Sequence, residues 1–66
     1  MQENKLIPEM TEERIIDDWR KGFTVEQISK TYVKSKKQRG IKITQIDAQR
    51  FVEPIIFRYQ TNLLKT

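Results

Sequence analysis

The stretch Lys21-Gly22-Phe23-Thr24-Val25-Glu26-Gln27-Ile28-Ser29 decides the fold, because it contains signals for the end of one helix and the start of the next. Gly22 follows an amphipathic run and is the residue type that most readily takes the left-handed conformation closing a helix. Thr24 has N-cap chemistry, since its hydroxyl can accept the Gln27 N–H while the Gln27 side chain accepts the Thr24 N–H. The stretch therefore predicts two helices meeting at a capped corner.

Length and composition restrict the chemistry that this chain can perform. The 66 residues form one small domain, near the size at which a single core only marginally offsets chain entropy. The sequence has no cysteine and no histidine, so thiolate ligands and the usual neutral-pH proton shuttle are absent. The two glycines form no phosphate-binding loop. We therefore expect no enzymatic activity, no metal site and no cofactor.

The distribution of apolar residues indicates where in the cell the protein is expected. No apolar run approaches the ~20 residues that span a bilayer, and the N-terminus lacks the basic and then apolar order of a signal peptide. We expect a cytoplasmic protein that does not bind membranes. Charged residues make up 33% of the chain, and together with one Trp, three Phe and two Tyr they indicate a folded domain.

The charge is distributed unevenly along the sequence. Residues 1–26 carry seven acids and four bases, a net charge of −3. Residues 27–66 carry nine bases and two acids, a net charge of +7. Such asymmetry predicts one surface that attracts a polyanion and another that is kept away from it.

The first half of the chain is predicted as an arm followed by two helices. Residues 1–10 lack periodicity and are interpreted as a loose arm of a single domain whose helical part is 11–66. Helix 1 is expected at about 11–21, capped by Thr11. Helix 2 starts after Thr24, and its apolar periodicity fades over residues 33–40, which either begin as a frayed continuation of helix 2 or already leave it; Gly40 should end it. A long basic loop, residues 34–43, is therefore expected between helices 2 and 3.

The second half is predicted as helix 3 with an interrupted tail. Thr44 is the third cap candidate, and the helix runs to about Val52. Pro54 then makes the tail either a kinked continuation or a fourth helix. The expected fold is thus all-α, with three to four helices. If the helix were continuous, a second apolar stripe would lie opposite the main one and need a partner surface, which predicts a homodimer or another protein partner. That stripe comprises Ile46, Phe57 and Leu64.

Residues 13–32 resemble the first two helices of the helix-turn-helix domains of transposases, resolvases and sigma-factor-like regulators. In that family a helix ends at Gly, a Ser or Thr caps the next helix and an Ile packs one turn later, as Gly22, Thr24 and Ile28 do here. The resemblance implies a trihelical domain whose third helix lies in the major groove of double-stranded DNA. The long expected loop departs from the family's tight turn.

Two groups of residues are candidates for DNA binding. Five bases within nine residues can follow a phosphate backbone by charge alone, and the alternative is a solvated loop kept soluble by lysines. The resemblance adds the start of helix 3, where Gln suits adenine and Arg suits guanine, although these residues also fit the solvent face of an amphipathic helix. The predicted set is Lys34, Lys36, Lys37, Arg39, Lys42, Thr44, Gln45, Gln49 and Arg50.

The sequence therefore favours a small helix-turn-helix-type DNA-binding protein that acts as a transcriptional regulator or an accessory nucleoprotein factor. A dimer on a two-fold DNA site is expected. The alternative is a protein-interaction module, an inhibitor or adaptor, that uses the apolar stripe of the C-terminal helix against a protein partner.

Overall fold

The computed structural model describes residues 6–65 and contains three helices in that range, without a strand. They are α1 (Glu12–Arg20), α2 (Val25–Gln38) and α3 (Gln45–Lys65). The all-α prediction is confirmed. Residues 1–5 of the predicted arm lie outside the described part of the chain.

The corner between α1 and α2 forms as predicted. Gly22 has a φ of 105° and ends α1. The Gln27 N–H donates to Thr24 Oγ1 at 3.1 Å, and the Thr24 N–H donates to Gln27 Oε1 at 3.0 Å, which completes the capping box. Thr11 caps α1 in a similar way, because its Oγ1 accepts the Arg14 N–H at 3.4 Å. Local chemistry thus sets both helix starts.

Helix α2 extends to Gln38, and the loop that follows it is therefore shorter than the predicted long basic loop. The first five residues of the expected loop, 34–38, form the last turns of α2, so the connection to α3 comprises only residues 39–44. Lys and Gln are good helix formers, and cations near a helix C-terminus are stabilised by its dipole. Gly40 has a φ of 83° and ends the helix where predicted.

Helix α3 is continuous through Pro54, so the tail is an extension of the third helix and not a fourth one. Thr44 Oγ1 accepts the Asp47 N–H at 3.1 Å at its start, as the sequence predicted. Pro54 has no N–H and cannot bond the carbonyl four residues earlier. Val52 and Ile55 are buried on either side of the proline, and their packing holds the helix together.

One apolar core lies between the three helices. Its members are at most 6% exposed, and they come from all three helices and from the segment before α1. They are Met10, Ile15, Ile28, Ala48, Val52, Ile55 and Ile56. Ile16, Trp19, Val25 and Tyr32 pack around this core and are partly buried.

Residues 6–10 of the predicted arm lie against α2. Met10 is in the core, at 6% exposure. The Ile7 N–H donates to Gln38 Oε1 at 2.7 Å, which joins the arm to the last residue of α2. Leu6 remains 60% exposed. The arm therefore contacts the C-terminal part of the helix that carries most of the predicted basic cluster.

Candidate nucleic-acid interface

The outer face of α2 carries a row of lysines. Lys30, Lys34 and Lys37 are exposed and follow an i, i+4, i+7 spacing, which places them on one side of a helix. Lys34 and Lys37 form no ion pair with any described acid. Lys30 lies 3.9 Å from Glu26, and both side chains are about two-thirds exposed, so solvent screens that pair strongly. The row is therefore available to an anionic partner.

A fourth lysine lies beside this row. Lys37 and Lys42 both line a hollow of about 420 Å³ between the end of α2 and the start of α3. Val33 and Ile43 form its apolar part, and Thr44 and Asp47 are its remaining polar residues. We call Lys30, Lys34, Lys37 and Lys42 the lysine surface. Asp47 lies at its edge and is the one acid lining the hollow.

Lys36 belongs to another side of α2. Its Nζ lies 5.6 Å from the centroid of the Tyr32 ring, within the range of a cation–π contact. Tyr32 in turn stacks on Phe51 of α3, with ring centroids 4.9 Å apart and planes at 18°. Lys36 is partly buried by this arrangement. It thus contributes to the contact between α2 and α3 and is separated from the row.

Arg39 forms hydrogen bonds within the chain. Its Nη1 donates to the Ser35 carbonyl at 3.0 Å, to Ser35 Oγ at 2.9 Å and to the Ile7 carbonyl at 3.0 Å. Ser35 is itself buried, and its hydroxyl donates to the Pro8 carbonyl at 3.4 Å. We call these four residues with Gln38 the arm clasp. Arg39 therefore holds the arm on α2 through one guanidinium nitrogen, and it keeps its charge because all three acceptors are neutral.

The predicted base-reading residues of α3 are also engaged or displaced. Thr44 caps the helix, and Gln45 Nε2 donates to the Glu26 carbonyl at 3.3 Å. Gln49 is partly buried. Arg50 is exposed, but it lines a different hollow, together with Trp19 and Val25. The start of α3 therefore offers fewer free polar groups than the sequence suggested.

Of the nine predicted DNA-binding residues, the fold brings Lys34, Lys37 and Lys42 together, with Thr44 beside them. Sequence reasoning omitted Lys30. Its signal was the helical spacing to Lys34 and Lys37, which becomes meaningful only when α2 is known to continue to Gln38.

The early acids do not neutralise the lysine surface. Asp17 pairs with Lys21 at 3.2 Å within the first corner. Glu12 pairs with Arg58 Nη2 at 3.2 Å and joins α1 to α3. Both pairs are more than half exposed and contribute little to stability. Within the described residues, Glu26 pairs with one member of the lysine surface, Lys30, and Asp47 borders it, whereas Lys34, Lys37 and Lys42 form no ion pair.

Residues 6–65 contain neither a metal-binding cluster nor a membrane-spanning helix. No group of acidic side chains there is arranged to hold a metal ion. None of the three described helices combines the length and the apolar character that crossing a membrane requires.

Fold and surface together define a small three-helix all-α domain with a row of lysines on its second helix. No protein-family model matches the chain, and no curated protein or solved structure is significantly similar to it.

Proposed function

We propose that this protein binds double-stranded DNA through the lysine surface and acts as a transcriptional regulator or an accessory nucleoprotein factor. The observation that carries the proposal is the grouping of exposed Lys34, Lys37 and Lys42, none of which pairs with a described acid. Lysines spaced along one helix face can each approach a phosphate of the DNA backbone. The partner is therefore recognised mainly by its charge.

The proposed contact differs from the one that the helix-turn-helix resemblance implies. That family inserts the start of its third helix into the major groove. Here Gln45 bonds the backbone of α2, and Thr44 caps its own helix. Base reading would require these bonds to be replaced, whereas phosphate contacts by α2 require no rearrangement. We therefore propose binding that depends weakly on DNA sequence.

Salt dependence is the direct measure of such binding. Four phosphate contacts, one for each lysine of the surface, give a slope of log K against log salt of about −3.5. Fluorescence anisotropy with labelled random duplex DNA, between about 50 and 200 mM salt, measures this slope. An affinity that does not change over this range contradicts the proposal.

Matched variants locate the contact. K34Q/K37Q/K42Q removes three charges from the lysine surface while keeping long polar side chains. We expect the slope to fall to about −1 and the affinity at about 100 mM salt to drop at least tenfold. R14Q/R20Q/K21Q removes three charges from α1 and the residue that follows it, and it should change the affinity less than about twofold. Equal losses in the two variants would mean that net charge alone attracts the DNA.

One observation favours a second candidate, a protein-interaction module. The predicted interface residues of α3 are strongly exposed, at 60% for Ile46, 67% for Phe57 and 87% for Leu64. Apolar side chains exposed together mark interaction surfaces. Phe57→Asp should abolish partner binding in this case, while the variant that removes lysine charges should leave it unchanged.

A further inference from the structure

The outward face of α3 carries a short pattern whose spacing is the same in both directions and whose two charges exchange sign on reversal. Ile46, Arg50, Glu53 and Phe57 are spaced by four, three and four residues. On an α-helix they lie within about 60° of one another around the axis. All four are exposed, and they lie on the side away from the buried positions. The order is apolar, basic, acidic, apolar.

This face borders an apolar groove. A hollow of about 570 Å³ is lined on one side by Trp19 and Val25 and on the other by Pro54, Ile56 and Phe57 of α3. Arg50 and Glu53 also line it. Phe57 is 67% exposed, so a large aromatic ring stands beside a groove that no described residue fills. The surface thus combines exposed apolar side chains with a recess next to one of them, Phe57.

The two charged residues of this face lack intramolecular partners. Neither Arg50 nor Glu53 forms an ion pair with a described residue, and neither donates or accepts a described side-chain hydrogen bond. They stand one helical turn apart, between two exposed apolar residues. Opposite charges placed in this way are complementary to a surface on which the order of the charges is reversed.

We infer that this face binds a second copy of the chain, with the two α3 helices antiparallel about a two-fold axis between residues 51 and 52. The pattern is symmetric about that point. Reversing the partner helix therefore places Ile46 against Phe57 of the second copy, and Arg50 against Glu53 of the second copy. A two-fold interface needs this self-complementarity, since each contact occurs twice.

Other arrangements of the two helices lose these contacts. A parallel pair in register places Arg50 against Arg50 and Glu53 against Glu53, and such like charges repel. Shifting the antiparallel pair by one helical turn removes both ion pairs together. Only the stated register joins both apolar pairs and both ion pairs. Leu64, which was predicted in the interface, then lies beyond the start of the partner's α3.

The paired stretch sets the expected strength. Residues 46–57 cover about 17 Å of helix, which with the groove gives an interface at the small end of the usual range. We expect a micromolar dimer. The inference does not depend on DNA binding, because the hollow lined by Lys37 and Lys42 shares no lining residue with the groove beside Phe57.

Charge exchange tests the register, with molar mass followed by light scattering or sedimentation equilibrium from about 1 to 300 µM. The wild type should approach twice the 8.0 kDa chain mass. Arg50→Glu alone and Glu53→Arg alone should each weaken the dimer at least about tenfold, because both ion pairs become like-charge contacts. An equimolar mixture of the two variants should dimerise again, since every contact in the mixed pair joins opposite charges. The double variant R50E/E53R should also recover.

Controls separate this surface from folding and from DNA binding. Lys34→Glu changes charge equally on an exposed position of α2 and should leave the dimer intact. Phe57→Ala should weaken dimerisation, and circular dichroism should show unchanged helix content for every variant. A wild type that stays monomeric up to the highest concentration overturns the inference. So does a mixture of the two single variants that remains monomeric, because that result excludes the antiparallel register.

Discussion

The two connections between helices are built from the same parts but are held in place differently. Each preceding helix ends at a glycine with positive φ, 105° at Gly22 and 83° at Gly40, and each following helix starts at a capping threonine. The residue after each glycine donates its N–H back into the helix, Phe23 to Asp18 at 3.2 Å and Ile41 to Lys36 at 2.9 Å. This is the Schellman closure in both cases.

The difference lies in how far the supporting contacts reach along the sequence. At the first corner, the cap bonds join Thr24 and Gln27, which are three residues apart. At the second connection, the end of α2 is bound by residues 31 and 32 positions away, through the bonds from Ile7 to Gln38 and from Arg39 to Ile7. The first corner forms from its own residues, whereas the second depends on the arm.

The largest expected effect comes from removing the arm's apolar anchor. Met10→Ala truncates a side chain that is only 6% exposed. We expect the free energy of unfolding to fall by about 2 to 3 kcal/mol, because apolar burial is lost and a cavity is left behind. Urea denaturation followed by circular dichroism measures this loss. Leu6→Ala is the matched control, because Leu6 is 60% exposed and should change stability by less than about 0.5 kcal/mol. A loss below about 0.5 kcal/mol for Met10→Ala as well would mean that Met10 does not anchor the arm.

The same contrast explains which parts of the fold could be predicted from sequence. Helix starts at Thr11, Thr24 and Thr44 were predicted because an N-cap depends only on residues within four positions of one another. The helical state of residues 34–38 was not, since these residues contain no apolar periodicity, although Gly40 was predicted to end the helix. Their helical state is favoured by propensity and by the clasp, and the partner of that clasp is far away in sequence. Continuity through Pro54 likewise depends on core packing by Val52 and Ile55.

The candidate site follows the same rule. The sequence shows that basic residues are concentrated in its second half. Which of them share a face depends on whether α2 continues, so Lys30 was missed and Lys36 was included. Arg39 was assigned to DNA because a cation near other cations is indistinguishable, in sequence, from one that bonds backbone carbonyls. Long-range hydrogen bonds of this kind leave no local pattern.

A smaller effect is expected from the locally encoded corner. Thr24→Ala removes the hydroxyl that accepts the Gln27 N–H, and we expect a loss of about 1 kcal/mol in the free energy of unfolding. Thr24→Ser keeps the acceptor and should stay within about 0.3 kcal/mol of the wild type. Thermal and urea unfolding measure both. If the serine variant lost as much as the alanine variant, the cap bond would not be the source of stability.

The smallest effect on global stability is expected from a change in the arm clasp, and this effect should also be the most localised. Arg39→Ala removes the part-buried bond to the Ser35 carbonyl and the exposed bond to the Ile7 carbonyl, and we expect global stability to fall by about 0.5 to 1 kcal/mol. Amide hydrogen exchange should accelerate at Ile7 and Ile41, whose N–H groups bond to the end of α2, while Gln27 in the first corner should keep its protection. Lys34→Ala removes a base from the same helix without changing an arm contact. It should leave hydrogen exchange unchanged at Ile7, Ile41 and Gln27. Acceleration spread evenly over the two connections would show that the second is no more dependent on remote contacts than the first. Acceleration confined to the second would establish that an arm before α1 determines where α2 ends.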